Sequence, residues 1–261
     1  MMICKLTAKN NEQVMEYLQL KPSFSLFLVA DIEKYGYESD VFTVWGAFEQ
    51  RELQYVFGKY YNTLIIYSNI DELPVKEICN YLNSHGINYN TLIGRRVLAE
   101  QFLQQVSFSK VYRNFFCELR PENFTPRINQ QLTVTKAQLS QTTDILKLLS
   151  SIEEFSRLDF HQDALKAHIK DGGVYLIMEQ GEIASLAMCS ANTRKLANIG
   201  GVCTAKPYRK QGYASTVVST ISQDYLRQGL ICCLGYNNPA AGSIYKKIGY
   251  QEVGQVIIAR K

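Results

Sequence analysis

Apolar and polar residues follow two rhythms along this chain: a strict alternation that marks strands, and a three-to-four spacing that marks helices. In the first half, "ICKLT" reads as a strand, and "NEQVMEYLQL" and "SLFLVADIEKYG" read as helices. Three alternating runs follow, "VFTVWGAFE", "LQYVFGKY" and "TLIIYSN", and then the helix "LPVKEICNYLNSH". The second half has a similar order. "QLTVTKA" is a strand, "SQTTDILKLLSS" a helix opened by a polar cap, and residues near 161–171 a further helix. "GVYLIME", "EIASLAMCSAN" and "LANIGGVCTA" are strands; the last runs through a loop into a helix. "LICCLGY", a short helix from Asn238 to about Ile248 and a final strand close the chain.

The shared order fits a structural duplication, since residue identity between the halves is negligible. Coincidence between two mixed α/β domains is the alternative. "RPENFTPRINQ", with two of the chain's six prolines, reads as a linker. The expected organisation is an α/β domain over 1–119, a linker over 120–129 and a second domain over 130–261.

Composition narrows the class. With 46% hydrophobic and 20% charged residues the chain is globular, and a net charge of +4 does not by itself point to nucleic acid. No apolar run reaches the ~18 residues that span a bilayer, and the start lacks the apolar segment of a signal peptide. Seven cysteines without a C-x-x-C pair read as reduced, mostly buried thiols in a cytoplasmic protein. Three histidines without a ligand pattern argue against a metal site.

One stretch changes character halfway, "VCTAKPYRKQGYASTVVSTI", residues 202–221. A strand passes a proline and a cationic loop and becomes a helix. A helix start leaves backbone N–H groups unpaired and carries partial positive charge. Gly212 permits close approach, Arg209 and Lys210 add full charge, and Ser215 can donate a hydroxyl. Ala214, Val217, Val218, Ile221 and Tyr225 then form one apolar helix face. A diphosphate suits such a cradle. Neither the dinucleotide fingerprint nor the P-loop is present, and a solvated loop with incidental charges is an equal alternative on this motif alone.

A second segment changes the balance. "RKQGYA", Arg209–Ala214, is similar to the phosphate loop [QR]-x-x-G-x-[GA] of the GNAT superfamily of acyl-CoA-dependent N-acyltransferases. "NPAAGSIYKKIGY" resembles that family's second signature, through Asn238, Tyr245, Gly249 and Tyr250. "GVCTAKPYRKQGYAS" is especially similar to the branch that includes glycine N-acyltransferase-like proteins. The resemblance covers roughly Leu132 to Lys261. It implies two tandem GNAT-like domains with mixed sheets, the first without a cofactor loop and the second splayed to hold CoA.

It further implies acetyl-CoA as co-substrate and no metal. Pantetheine would pair with backbone groups around Val202, Cys203 and Thr204, and the diphosphate would rest on Gln211, Gly212, Tyr213, Ala214 and Ser215 beside Arg209 and Lys210. Asn238 would bind near the pantetheine, and Tyr245 would hydrogen-bond or protonate the leaving thiolate. A backbone N–H of the Val202–Cys203 stretch would serve the oxyanion. The base stays open among Glu153, Glu154, Asp159, His161 and a water chain, and Cys203 reads as packed, not nucleophilic. The implied activity is acyl transfer, acetyl or another short acyl group, to a primary amine of a small molecule or peptide by direct attack in a ternary complex. A non-catalytic acyl-CoA sensor is the alternative. A monomer or homodimer without nucleic-acid or membrane partners is expected, with residues 1–119 helping to build the acceptor side.

Overall fold

The computed structural model describes residues 1–152, 155 and 162–261. Among these, one order of elements, β-α-α-β-β-β-α-β-α-β, occurs twice. The first pass is β1 (Met2–Lys5), α1 (Asn11–Leu18), α2 (Pro22–Tyr35), β2 (Phe42–Glu49), β3 (Glu52–Tyr60), β4 (Thr63–Ser68), α3 (Val75–Ser84), β5 (Thr91–Arg95), α4 (Arg96–Leu103) and β6 (Lys110–Leu119). The second is β7 (Val134–Lys136), α5 (Thr142–Ser151), α6 (Gln162–Lys170), β8 (Val174–Glu179), β9 (Glu182–Asn192), β10 (Leu196–Thr204), α7 (Tyr213–Arg227), β11 (Ile231–Tyr236), α8 (Pro239–Ile248) and β12 (Gln251–Arg260). The tandem repetition legible in the hydrophobic rhythm is present, and it extends to β5, α4 and β6, which the rhythm left unread.

Two compact units result, one of Met1–Phe116 with Val253–Lys261, the other of Cys117–Glu252. This differs from a division at a 120–129 linker in both directions. The last strand completes the first unit, where Val256 to Arg260 of β12 pair antiparallel with Arg95 to Thr91 of β5. Ile257 and Ala259 are fully buried in that unit's core. Cys117 and Leu119, from the end of the first pass, are fully buried in the second unit's core. The linker itself is tied down: Arg127 N donates to Ser219 Oγ at 2.9 Å and Asn129 N to Thr216 Oγ1 at 3.0 Å. Partner choice between strands of similar alternation is a tertiary matter, so no local pattern reveals it.

In the first unit β2, β3 and β4 form an antiparallel meander, and β4 pairs parallel with β5. One face packs Val14, Leu18, Leu28 and Ile32 of α1 and α2, the other Ile78 and Leu82 of α3 with Leu98 and Phe102 of α4. In the second unit β11-β10-β9-β8-β7 follow one another. There α7 and α8 cover one face through Val217, Val218, Ile221 and Ile248, and α5 and α6 the other through Ile145, Leu149, Leu165 and Ile169. No helix among the described residues is long and apolar enough to cross a membrane.

Asp31, in the first unit, is a carboxyl at odds with its surroundings. Burial pushes the Asp31 carboxyl on α2 up to about 7, with Lys34 opposing. A carboxyl raised in the folded state favours the fold below its ordinary value of 3.8. That support is lost as pH rises towards 7, then stays constant. Asp31→Asn is therefore expected to stabilise the protein, by roughly 2 kcal/mol more at pH 8 than at pH 5. Urea titrations at the two pH values check this, and an equal difference at both contradicts it.

Candidate active site

The site is assembled where β10, α7, β11 and α8 meet within the second unit. β10 and β11 run parallel but share only three register pairs, Leu196↔Ile231, Ala197↔Cys232 and Asn198↔Cys233. Beyond them β10 continues to Thr204 and β11 to Tyr236 without pairing to each other. The sheet is splayed there.

The other ladder of β10 is irregular at the same height. Gly200 faces Met188 and Cys203 faces Leu186, so Gly201 and Val202 together oppose Ala187 in a β-bulge. Gly201 takes φ +59°, and a Cβ there would stand 2.7 Å from Met188 Cε. The bulge turns strand amides out of the β9 ladder. Past it, Ala205 N donates to Ala184 O at 2.9 Å, and the Cys203 carbonyl accepts from Ser185 Oγ at 2.9 Å. Odd-numbered backbone groups thus face β9, and by alternation Thr204 and Val202 face the open side. Cys203 is placed differently from the sequence expectation for its backbone. The residue is 5% exposed and burial pushes its thiol up to about 12 despite Arg209, so it is no ready nucleophile.

The cradle follows directly. Arg209 Nε donates to Thr204 O at 3.1 Å and Gln211 Nε2 to Pro207 O at 2.8 Å, which fix the loop to the strand end. Lys210 and Gly212 both have left-handed backbone, φ 62° and 87°. For a lysine this costs on the order of 1 kcal/mol, strain of a kind that collects at ligand sites. Gly212 occupies the N-cap of α7, whose end has no side-chain cap and no acidic residue in its first turn. Thr216 N is bonded to Gly212 O at 3.0 Å, while helix geometry gives Tyr213, Ala214 and Ser215 no such partner. Ser215 Oγ donates to Gly212 O at 2.9 Å. A Cβ on Gly212 would meet nothing nearer than Ser215 Oγ at 4.0 Å, so the space over the cap is open. Arg209, Lys210, Gln211 and Gly212 are exposed; Tyr213 is buried and donates to Glu179 Oε1 at 3.0 Å, a nearby acid the motif did not announce.

Asn238 is the N-cap of α8: its Oδ1 accepts from Ala240 N at 2.9 Å, which sets the helix at the end of β11. About two turns along, Tyr245 is 6% exposed, with Tyr236 and Tyr250 ring centroids 5.8 and 6.1 Å away. Its hydroxyl has no hydrogen bond among the described residues. Burial, then the neighbouring Cys203 and Cys117 thiols, raise it well above the usual tyrosine value, so it stays protonated at neutral pH. Glu153, Glu154, Asp159 and His161 lie outside the described residues. No group of three His, Cys, Asp or Glu suited to a metal occurs among the described residues.

The equivalent junction of the first unit is built otherwise. β4 pairs with β5 from Thr63↔Thr91 to Ile66↔Gly94, and β3 with β4 without a bulge. Pro74 stands at the start of α3, with Asp71 and Glu72 just before it. Arg95 closes the loop, bonding Asp71 Oδ1 at 2.9 Å and Ser68 O at 3.1 Å, and Gln101 Oε1 takes the Leu73 amide at 3.0 Å.

Comparison with known proteins agrees with this geometry. The family model described as GNAT acetyltransferase matches residues 49–258. The chain belongs to this family. GNAT members transfer acyl groups from acyl-CoA, so the protein is an acyltransferase. Its fold is similar to the GCN5-related N-acetyltransferase from Sphaerobacter thermophilus, at 13% identity and TM-score 0.66 over 100% of this chain and 95% of that one. It is similar to a Drosophila protein at 10% identity and TM-score 0.69, over 99% and 98%. A tandem GNAT protein from the clavulanic acid biosynthesis pathway matches at 10% identity and TM-score 0.57, over 100% and 98%. No curated protein matches the chain. The likeness to solved structures shows the fold alone, and the last of them shares its tandem GNAT arrangement.

Proposed function

We propose that the second unit transfers an acetyl or other short acyl group from its CoA thioester to a primary amine, by direct attack in a ternary complex. The observation that carries this reading is the splay of β10 from β11 leading into an uncapped, glycine-opened helix start. Amides from Gln211 to Ser215, with Arg209 and Lys210, hold the diphosphate. The outward backbone groups of Val202 and Thr204 pair with the pantetheine amides, as an added strand does. Thr204 O is already shared with Arg209, so its amide carries most of that pairing.

An amide freed from the β9 ladder by the bulge at Gly201–Val202 stabilises the oxyanion that develops as the amine adds. Tyr245 donates a hydrogen bond to the departing sulfur. Its raised pKa makes it a donor throughout catalysis and disfavours full proton transfer to a thiolate of ordinary basicity. Asn238 acts by fixing α8, and hence Tyr245, against the end of β11.

The acceptor is a small-molecule or peptide amine. Seven free cysteines support a cytoplasmic setting. The experiment is thiol release from acetyl-CoA and longer acyl-CoAs against amino acids, polyamines, aminoglycosides and peptides. Release that depends on an amine supports the reading, and CoA binding without release for any amine contradicts it.

A further inference from the structure

Asn198 stands at the vertex of the splay. It is the last residue of β10 paired with β11, opposite Cys233. On its other side the β9 ladder slips at the same residue: Asn198 faces Ala191 and Ile199 faces Cys189, so Ser190 is looped out of register. Bulges beside active sites re-aim a side chain. Here Ser190 Oγ accepts from Asn198 Nδ2 at 2.7 Å and donates its own proton to the Asn198 backbone carbonyl at 3.4 Å. That exchange orients the amide. It leaves Asn198 Oδ1, on a residue 7% exposed, without a hydrogen-bond partner among the described residues. Gly200, next along the same face, adds no side chain; a Cβ there would stand 3.4 Å from Ser190 Oγ and 3.8 Å from Asn198 Nδ2.

A buried carbonyl without a partner costs about 1–3 kcal/mol, and this one is held in place by a bulge and a dedicated serine. Its location gives it a use. An acyl-CoA anchored at Gln211–Ser215 and laid back along β10 brings its thioester towards the vertex, where the open edge ends. We infer that Asn198 Oδ1 is the acceptor-binding atom, taking an N–H of the incoming amine and aiming its lone pair at the thioester, with Ser190 as a positioning residue. The inference rests on the acyl-transfer reading of this site. A neutral amide accepts a hydrogen bond but takes no proton near neutral pH, so the amine it holds attacks only where it is already free base. The substrate class is therefore a weakly basic amine, or one deprotonated through water before it reaches Asn198.

The test uses the full chain with acetyl-CoA and two probe amines, hydroxylamine (weakly basic) and ethylamine (strongly basic), followed by thiol release across pH. Wild type is expected to turn over hydroxylamine at neutral pH and ethylamine only as pH rises. Asn198→Ala should raise the KM for hydroxylamine about tenfold, the worth of one lost hydrogen bond, while the KM for acetyl-CoA stays within twofold. Asn198→Asp keeps an acceptor oxygen, so it should hold the hydroxylamine KM within about threefold and add a new acidic limb to the pH profile. Ser190→Ala should raise the amine KM by a smaller factor, and serves if the Asn198 variants fold poorly. An amine KM unchanged in both Asn198→Ala and Ser190→Ala overturns the inference, as does wild type that turns over ethylamine as readily as hydroxylamine at neutral pH. Wild type that fails to bind CoA, or binds it and releases no thiol with any amine, removes instead the acyl-transfer reading itself.

Discussion

Gly212→Glu is expected to abolish CoA binding while the protein stays folded. The cap residue is exposed, at φ +87°, with open space where a Cβ would stand. A side chain there costs on the order of 1 kcal/mol in backbone strain, and it displaces no packed neighbour. The same open space is where the diphosphate lies in the proposed complex. A carboxylate in it blocks close approach, neutralises the positive end of α7 and repels the phosphates. Affinity should fall roughly a hundredfold or more, about 3 kcal/mol, with a small change in melting temperature. Gly212→Ala separates the effects, since it keeps the strain without the charge and should weaken binding much less. Calorimetric titration with CoA decides it: near wild-type affinity for the glutamate variant removes the cradle from the account.

Tyr245→Phe should lower turnover by about ten- to a thousandfold and leave CoA affinity within about twofold. The ring is part of the core, packed with Tyr236 and Tyr250, and phenylalanine preserves those contacts. The hydroxyl holds no structural hydrogen bond among the described residues, so its removal has little to break. Because burial keeps the hydroxyl protonated, the variant's pH profile should keep the wild-type shape at reduced height. Single-turnover measurements isolate the chemical step, and an unchanged rate there assigns Tyr245 to packing alone.

Much of this site is legible in the chain itself because it is local. The cationic loop, Gly212 and the apolar face of α7 lie within twenty residues, and their conformations follow from short-range backbone rules. Asn238 and Tyr245 share one helix, so their spacing fixes their relation. What stays hidden is whatever depends on a neighbour. The backbone direction of Cys203 is decided by its register with β9 and by Ser185. The orphaned Asn198 carbonyl arises from two irregular ladders and reads in sequence as an ordinary polar strand residue. The Gly200–Gly201 pair inside a strand is the one local hint of the bulge, since glycine there weakens a strand unless the backbone must kink. The placement of the last strand is likewise beyond local reading: β12 alternates as β6 does, and its pairing with β5 puts Val253–Lys261 in the first unit. Cutting the chain in the 120–129 segment would strip Ile257 and Ala259 from one core and Cys117 and Leu119 from the other. The halves are accordingly best studied together.

The repetition also sharpens what separates the two units. Both place a parallel strand pair and a following helix at the same point in the order. In the first, Arg95 and Gln101 bond across the loop, and Asp71 and Glu72 bring negative charge to the helix start. In the second the strands part and the helix start is cationic. On the proposed reading the chain binds acyl-CoA at one place only, between β10 and β11. Equilibrium dialysis of the full chain against radiolabelled acetyl-CoA tests it most directly. One molecule bound per chain at saturation, lost in Gly212→Glu, is the predicted result; two per chain, or binding that survives Gly212→Glu, would contradict it.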